Sequence, residues 1–245
     1  TVFFIDEDQR VTLKDIGTSA LISTFAEGKG AAVERHTLSS QFRCGGSDGY
    51  LAWLDDVLGV RETANPQLST SEYDFRVFDS PHALHAAIRE KNAANKARVV
   101  AGYCWPWRSK KDSSAQDIVI GDYQRQWNLD QGGSLWIIAE TSIEQVGCIH
   151  TCQGLEVEYI GVIIGLDLIV RDGEIQTRPE ARDRHDKTIR GYKKYLQEKP
   201  EAARAELDLL IKNTYRTLMT RGMKGCYIYC VDEETAAYLR TRLSA

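Results

Sequence analysis

Short apolar runs alternate with amphipathic stretches along most of the chain. Residues 1–5 are apolar and end in Asp6-Glu7-Asp8-Gln9, the pattern of a buried parallel strand with acids at its C-terminal edge. Thr12 and Asp15 precede Ile16, Ala20, Leu21 and Phe25, a helical spacing closed by Glu27-Gly28-Lys29-Gly30. A second short strand is expected over 31–38. Residues 50–58 read as a helix with Trp53, Leu54, Val57 and Leu58 on one face. The polar stretch 59–72, with Asn65-Pro66 inside it, reads as a linker.

Beyond the linker the order restarts. Residues 75–78 form a strand, Ser80-Pro81 opens a helix to about Asn92, and 98–103 form another strand. Apolar runs of strand length cover 135–139 and 159–168, a β-rich segment covers 224–231, and 233–243 is a closing helix. Strands alternating with helices predict an α/β fold with a largely parallel sheet, whose ligands are expected at the C-terminal ends of the strands. Residues 171–205 carry ten basic and seven acidic side chains, and read as a solvated insertion or as part of a polyanion-binding surface.

Composition narrows the class without naming a function. The chain has 245 residues, 42% hydrophobic and 27% charged, as in ordinary globular proteins. A net charge of −4 excludes a surface that is basic all over but leaves room for a local basic groove. No apolar stretch approaches the roughly 18 residues of a membrane span. The chain starts abruptly in a strand with neither an initiator Met nor a basic leader, which is read as a piece of a longer, cytoplasmic protein. Cys148/Cys152 and Cys226/Cys230 each have C-x₃-C spacing, which departs from the usual zinc knuckle and reads as reduced core thiols.

Four segments carry candidate chemistry. In Asp6-Glu7-Asp8-Gln9, the first carboxylate suits Mg²⁺, a hard cation that prefers oxygen ligands, and the second suits an attacking water. In Leu38-Ser39-Ser40-Gln41-Phe42-Arg43, Arg43 is placed to meet charge developing in phosphoryl transfer. His150-Thr151-Cys152-Gln153-Gly154-Leu155-Glu156 is a polar, glycine-containing turn entering an apolar strand. In the stretch 213–222, Tyr215, Leu218 and Met219 share a helix face, Arg216 and Arg221 are candidate phosphate contacts, and Gly222 reads as a helix stop. Separately, Tyr103, Trp105, Trp107, Arg108, Lys110 and Lys111 interleave aromatic and basic side chains, as a stacking platform for single-stranded nucleic acid does.

In order and content the four segments resemble the motifs of superfamily 1 helicases: a DExQ Walker B at Asp6, motif IV ending at Arg43, motif V at 150–156 and motif VI at 215–221. The phrasing Gln41-Phe42-Arg43-Cys44, Thr151-Cys152-Gln153-Gly154-Leu155-Glu156 and Leu218-Met219-Thr220-Arg221-Gly222 most resembles the bacterial Schlafen group 3-like DNA/RNA helicase domain family, over nearly the whole chain. The resemblance implies a RecA-like P-loop NTPase fold, with 1–60 a remnant of the first lobe and 61–245 a complete second lobe. It implies ATP and Mg²⁺ as cofactors and single-stranded DNA or RNA as partner. Asp6 would serve Mg²⁺, Glu7 the hydrolytic water and Gln9 nucleotide sensing. Arg43 and Arg221 would face the γ-phosphate, and Gln153, Gly154 and Glu156 would couple nucleotide to nucleic acid. Three departures stand against the family pattern. There is no G-x-x-x-x-G-K-[ST] loop and no Gly-Asp-x-x-Gln motif III, and Cys148 stands where many relatives have Thr. The missing loop is expected in an N-terminal half outside this sequence, and no ATP hydrolysis is expected of the 245 residues alone. The alternatives are a non-hydrolysing nucleic-acid-binding module and an ATPase switch acting on protein partners.

Overall fold

The computed structural model describes all residues except 16, 38–42, 65–66, 70, 72, 129–135, 138, 153–155 and 245, with the backbone alone at Arg43, Ala94 and Ser244. The elements in chain order are α1 (Ser19–Gly28), α2 (Asp48–Val57), β1 (Leu68–Ser69), β2 (Asp74–Phe78), α3 (Pro81–Lys91), β3 (Ala97–Ala101), β4 (Ile118–Ile120) and β5 (Tyr123–Arg125). They continue with β6 (Val146–Gly147), α4 (Ile149–Cys152), β7 (Val157–Ile164), β8 (Leu168–Arg171), β9 (Glu174–Thr177), α5 (Tyr192–Glu198), α6 (Pro200–Met219), β10 (Gly222–Cys230), α7 (Glu233–Thr241) and β11 (Leu243–Ser244).

Five strands form one parallel sheet in the order β2-β10-β7-β3-β6. Strand alternation sends neighbouring side chains to opposite faces, and here both faces are covered. Val100, Ile160, Val162, Cys226 and Ile228 join a core with Trp53 and Leu54 of α2, Tyr215 and Leu218 of α6 and Leu239 of α7. Ala97, Val99, Ala101, Ile163 and Tyr227 point the other way, toward Leu84 and Ile88 of α3. The predicted α/β class with a parallel sheet is therefore correct. α2 lies before residue 60, the expected lobe boundary, yet its aromatic face belongs to the same core as the sheet.

Local signals explain the helix starts. Ser80 caps α3 by accepting from the Ala83 amide at 3.1 Å, with Pro81 at the first helical position. Asp232 caps α7 by accepting from the Thr235 amide at 2.9 Å. Gly222 is not the helix stop the sequence implies: it opens β10 at a register irregularity, where an added Cβ would lie 2.1 Å from the Gly225 carbonyl oxygen. Arg98, fully buried without a carboxylate, spends its N–H groups on Ser142, Asn92, Asn95 and the carbonyls of Ala97 and Ala139. It thereby ties β3 to the segment leading into β6, and burial lowers its pKa to about 10.

Three expected strands are absent among the described residues; residues 38, 135 and 138 lie outside them. Residues 1–5 are unpaired among the described residues, with Phe3 61% and Phe4 85% exposed, since no neighbouring strand offers them an edge. Residues 31–37 are extended without a ladder. Within 135–139, Trp136 lies in a helical turn and plugs the β6 edge, where it closes on Gly147 and donates to Gln145 Oε1 at 2.8 Å. The helix expected from Thr12 begins later, at Ser19, capped by Thr18.

Candidate functional site

Three of the four motif-like segments meet at one corner of the sheet. Gly222, which opens β10, pairs with Val157, which opens β7. The Val157 amide donates to the Arg221 carbonyl at 2.9 Å. The turn Arg43–Gly46 packs beside them, with the Cys44 thiol donating to the Thr220 carbonyl at 3.8 Å. The Arg43 turn, Glu156 and Arg221 thus lie at the N-terminal ends of the central strands. The general rule for α/β sheets expects ligands at the opposite ends, where a separate concavity lies. Gln153 and Gly154, with Leu38 to Phe42, lie outside the described residues.

The side chains at this corner are engaged with the protein. Arg221 is 3% exposed and its Nε donates to the Thr217 carbonyl at 3.0 Å. Arg216, one turn earlier on α6, binds both carboxylate oxygens of Asp55. Arg61 Nε reaches the same Asp55 at 3.0 Å, and Asp8 lies 2.5 Å from Arg61 and 3.5 Å from Arg216. Burial opposes the charge of Arg216 most strongly, but the Asp55 hydrogen bond and the charges of Asp55, Asp8 and Asp6 together outweigh it and the pKa is raised. Glu156 is exposed just ahead of β7.

The acidic segment sits against α6 as a single helical turn. Asp6 accepts from the Asp8 amide at 3.2 Å and from Gln9 Nε2 at 2.5 Å. Glu7 is exposed, and its Oε1 accepts from the Ser19 hydroxyl at 2.7 Å and the Ser19 amide at 2.8 Å. Those bonds hold its carboxyl below the usual glutamate range and satisfy a free N–H at the start of α1. Mg²⁺ can rest on one or two carboxylates only when substrate phosphates complete its shell. The sequence contains no phosphate-cradling loop, and no cluster of three or more acidic, His or Cys side chains stands ready for a metal among the described residues. The residues present do not by themselves fit Mg²⁺.

A concavity of about 1280 Å³ lies at the other edge of the sheet, past the C-terminal ends of β3 and β6. One wall is the loop after β3, with Tyr103, Trp107, Arg108, Lys110 and Lys111, and the other is the loop with Arg184 and Lys187. His150 and Cys148 contribute from the β6 side. Buried Asp117 anchors the first wall by accepting from the Ser109 amide at 2.8 Å, the Ser109 hydroxyl at 2.5 Å and the Trp127 amide at 2.9 Å. Tyr103 stacks on buried Trp127 with ring centroids 5.4 Å apart, and Trp107 tilts against the same ring at 6.0 Å. Trp105 does not line the trough: it packs on the second core, its carbonyl accepting from Trp127 Nε1 at 3.3 Å. Sequence reasoning singled out the first wall; the second lies within 171–205, a stretch of mixed charge that the sequence left open between a solvated insertion and a polyanion-binding surface. The cysteine pairs are core thiols in the structure, with Cys152, Cys226 and Cys230 buried and their pKa values pushed up by burial.

The model of the Schlafen group 3, DNA/RNA helicase domain family matches residues 1–232. The chain belongs to that family. A curated relative, the uncharacterized protein YPL245W of Saccharomyces cerevisiae, is 27% identical over a 228-residue alignment that covers 85% of this chain and 47% of the yeast protein. The Schlafen group 3 chain described here thus spans about half the length of that relative, and the likeness is not confined to bacteria. No solved structure matches it. No helix among the described residues of this Schlafen group 3 domain is long and apolar enough to cross a membrane.

Proposed function

We propose that this chain is the second, RecA-like lobe of a nucleic-acid helicase or translocase-like ATPase, together with a short remnant of the first lobe that carries Asp6 and Glu7. One observation carries the reading: the Arg43 turn, Val157 next to Glu156, and Thr220-Arg221, far apart in sequence, close on one another at the starts of β7 and β10. A corner built from three elements in the family's motif order is suited to face a nucleotide held by a first lobe, with Arg43 and Arg221 as the arginines that turn toward it. ATP, Mg²⁺ and single-stranded DNA or RNA are the ligands of this reading, and the phosphate cradle is a property of the longer protein.

The test is ATPase activity of the full-length protein with and without single-stranded DNA and RNA, beside Glu7→Gln. Stimulated hydrolysis that Glu7→Gln reduces by at least about a hundredfold, the lower range for losing a positioned acid–base group, supports the motor. Unstimulated hydrolysis points to a switch acting on a protein partner.

A second reading has its own support. Arg216 and Arg221 are nearly buried, whereas the trough cations are exposed. A lobe that holds nucleic acid without turnover needs only the trough. Full-length protein that binds nucleic acid yet shows no hydrolysis selects this reading.

A further inference from the structure

The geometry points to the trough beyond β3 and β6 as a binding site for single-stranded nucleic acid, with Trp107 as the base platform and the loops 103–111 and 182–188 as two phosphate-binding walls. This deepens the nucleic-acid part of the proposed function by placing it on the chain, and it does not depend on hydrolysis.

The decisive feature is how folding sorts the charges of Arg182-Asp183-Arg184-His185-Asp186-Lys187. Along the sequence they alternate and nearly cancel. In the structure the acids turn inward: the Asp186 side chain is 3% exposed and the Asp183 side chain 10%. Asp186 accepts from Arg182 Nη1 at 3.0 Å and from the Thr188 amide at 2.8 Å, while Asp183 accepts from the His185 amide at 2.8 Å. Arg184, His185 and Lys187 remain exposed and line the trough. Buried Arg182 organises this wall, since its Nε also donates to buried Asp167 at 2.9 Å. Its Nη2 has no hydrogen-bond partner among the described residues, an orphan donor behind the trough.

The opposite wall repeats the sorting. Arg108, Lys110 and Lys111 are exposed, Asp117 is buried under Ser109 and Trp127, and Asp112 turns to the Ser114 hydroxyl at 2.6 Å, away from the trough lining. Five exposed Lys and Arg side chains therefore face each other across a trough whose lining acids, Asp183 and Asp186, are largely buried, in a chain whose net charge is −4. Such focusing of one sign attracts a polyanion and gives it a path.

Shape and the aromatic floor choose among polyanions. The trough exceeds the roughly 300–1,000 Å³ of typical small-molecule pockets. Trp107 is partly exposed, with the Lys110 ammonium 3.8 Å from its ring centroid. A base stacking on an aromatic ring is worth more than an exposed cation–π contact, so an entering base displaces Lys110, which then meets the adjoining phosphate. Bases inside a duplex are already stacked and offer no face to Trp107. Single strands satisfy both the floor and the walls.

The test is fluorescence anisotropy of the purified full-length protein with labelled single-stranded and duplex oligonucleotides of equal length, over a range of salt, without ATP. Single strands are expected to bind more tightly than duplex. Trp107→Ala is expected to weaken single-strand binding by roughly tenfold, as loss of one stacked base does. Lys110→Glu/Lys111→Glu and Arg184→Glu/Lys187→Glu, all at exposed positions, are expected to weaken binding and to flatten the slope of log K against log salt by roughly 1.4 for two lost contacts on a single strand. Lys193→Glu on α5 is the control and leaves both unchanged. Unchanged affinity and slope in both charge reversals overturn the site, as does equal affinity for duplex. Competition by polyglutamate as strong as by oligonucleotide overturns it in favour of an acidic protein partner. Nucleic-acid-stimulated ATPase that survives the charge reversals removes the trough and leaves the motor standing, whereas trough-dependent binding without hydrolysis does the reverse.

Discussion

The two edges of the sheet hold their cations in opposite ways. At the N-terminal edge, Arg216 and Arg221 are folded into the protein, one on Asp55 and the other on the Thr217 carbonyl. At the C-terminal edge, Arg108, Lys110, Lys111, Arg184 and Lys187 stand in solvent while their neighbouring acids are buried or turned aside. A sequence motif therefore locates a segment in space without telling whether its charge is offered to a ligand. Only the protein's own hydrogen bonds decide that.

The largest effect expected from this contrast is on stability. Asp55→Ala leaves Arg216 nearly buried without its main partner, and removing one member of a buried pair costs about 3–5 kcal/mol. Urea unfolding should place this variant near the lower figure, because Asp8 also reaches Arg216. Lys110→Glu, exposed at the other edge, should change stability by no more than about 0.5 kcal/mol. An Asp55→Ala cost as small as that of Lys110→Glu would mean that the N-terminal edge is an ordinary surface, and the contrast would be lost.

Much of this arrangement was legible in the residues, and the misses have physical causes. The runs that became β3, β7 and β10 are mostly apolar because both faces of a parallel sheet are covered, which is the pattern the reading relied on, whereas edge strand β2 keeps Arg76 exposed. Phe3 and Phe4 have the same pattern and no strand beside them, since hydrophobicity shows a need for burial and not the partner that meets it. The β4–β5 hairpin escaped because its strands are three residues each and only Gly121-Asp122 marks the turn. α6, twenty residues long, was seen only in its last turns, since its first half is charged and half exposed. The second wall of the trough, within 171–205, stayed open between a solvated insertion and a polyanion surface for a different reason: burial, not spacing, separates Asp183 and Asp186 from Arg184 and Lys187.

The next effect concerns pH and belongs to the half of the molecule under the trough. His85 on α3 is 2% exposed, with Nδ1 against the Tyr123 hydroxyl and Nε2 against the Ile143 carbonyl, both at 2.8 Å. Burial pulls its pKa from 6.5 down to about 4. Between those values the unfolded chain binds a proton that the folded chain refuses, so stability is full above pH 6.5 and falls as pH drops toward 4. Each pKa unit is worth about 1.4 kcal/mol, which makes the loss about 3 kcal/mol across the window. Urea unfolding at several pH values should show this slope, and His85→Leu should be less stable at pH 7 but flatter below 6.5. A slope that persists in His85→Leu would assign the acid sensitivity to other groups.

The smallest effect is the most direct test of whether the edges differ in free charge. The N-terminal edge also has exposed cations, Lys96 and Lys224, but both lie against Glu158, Lys224 at 2.9 Å and Lys96 at 3.5 Å. The two lysines hold the Glu158 carboxyl below its usual pKa, with Lys224 acting first through its hydrogen bond. Exposed pairs of this kind add little to stability, because solvent screens them and the long side chains lose freedom in making them. Lys224→Gln should therefore leave the melting temperature unchanged and, because Lys96 still neutralises Glu158, should leave oligonucleotide affinity and its salt slope unchanged too. Anisotropy titrations beside Lys110→Glu/Lys111→Glu make the comparison within one assay. A Lys224→Gln variant that loses as much affinity as the trough reversals would move the nucleic-acid path to the N-terminal edge, alongside Glu156 and Arg221, and would leave the trough without its role.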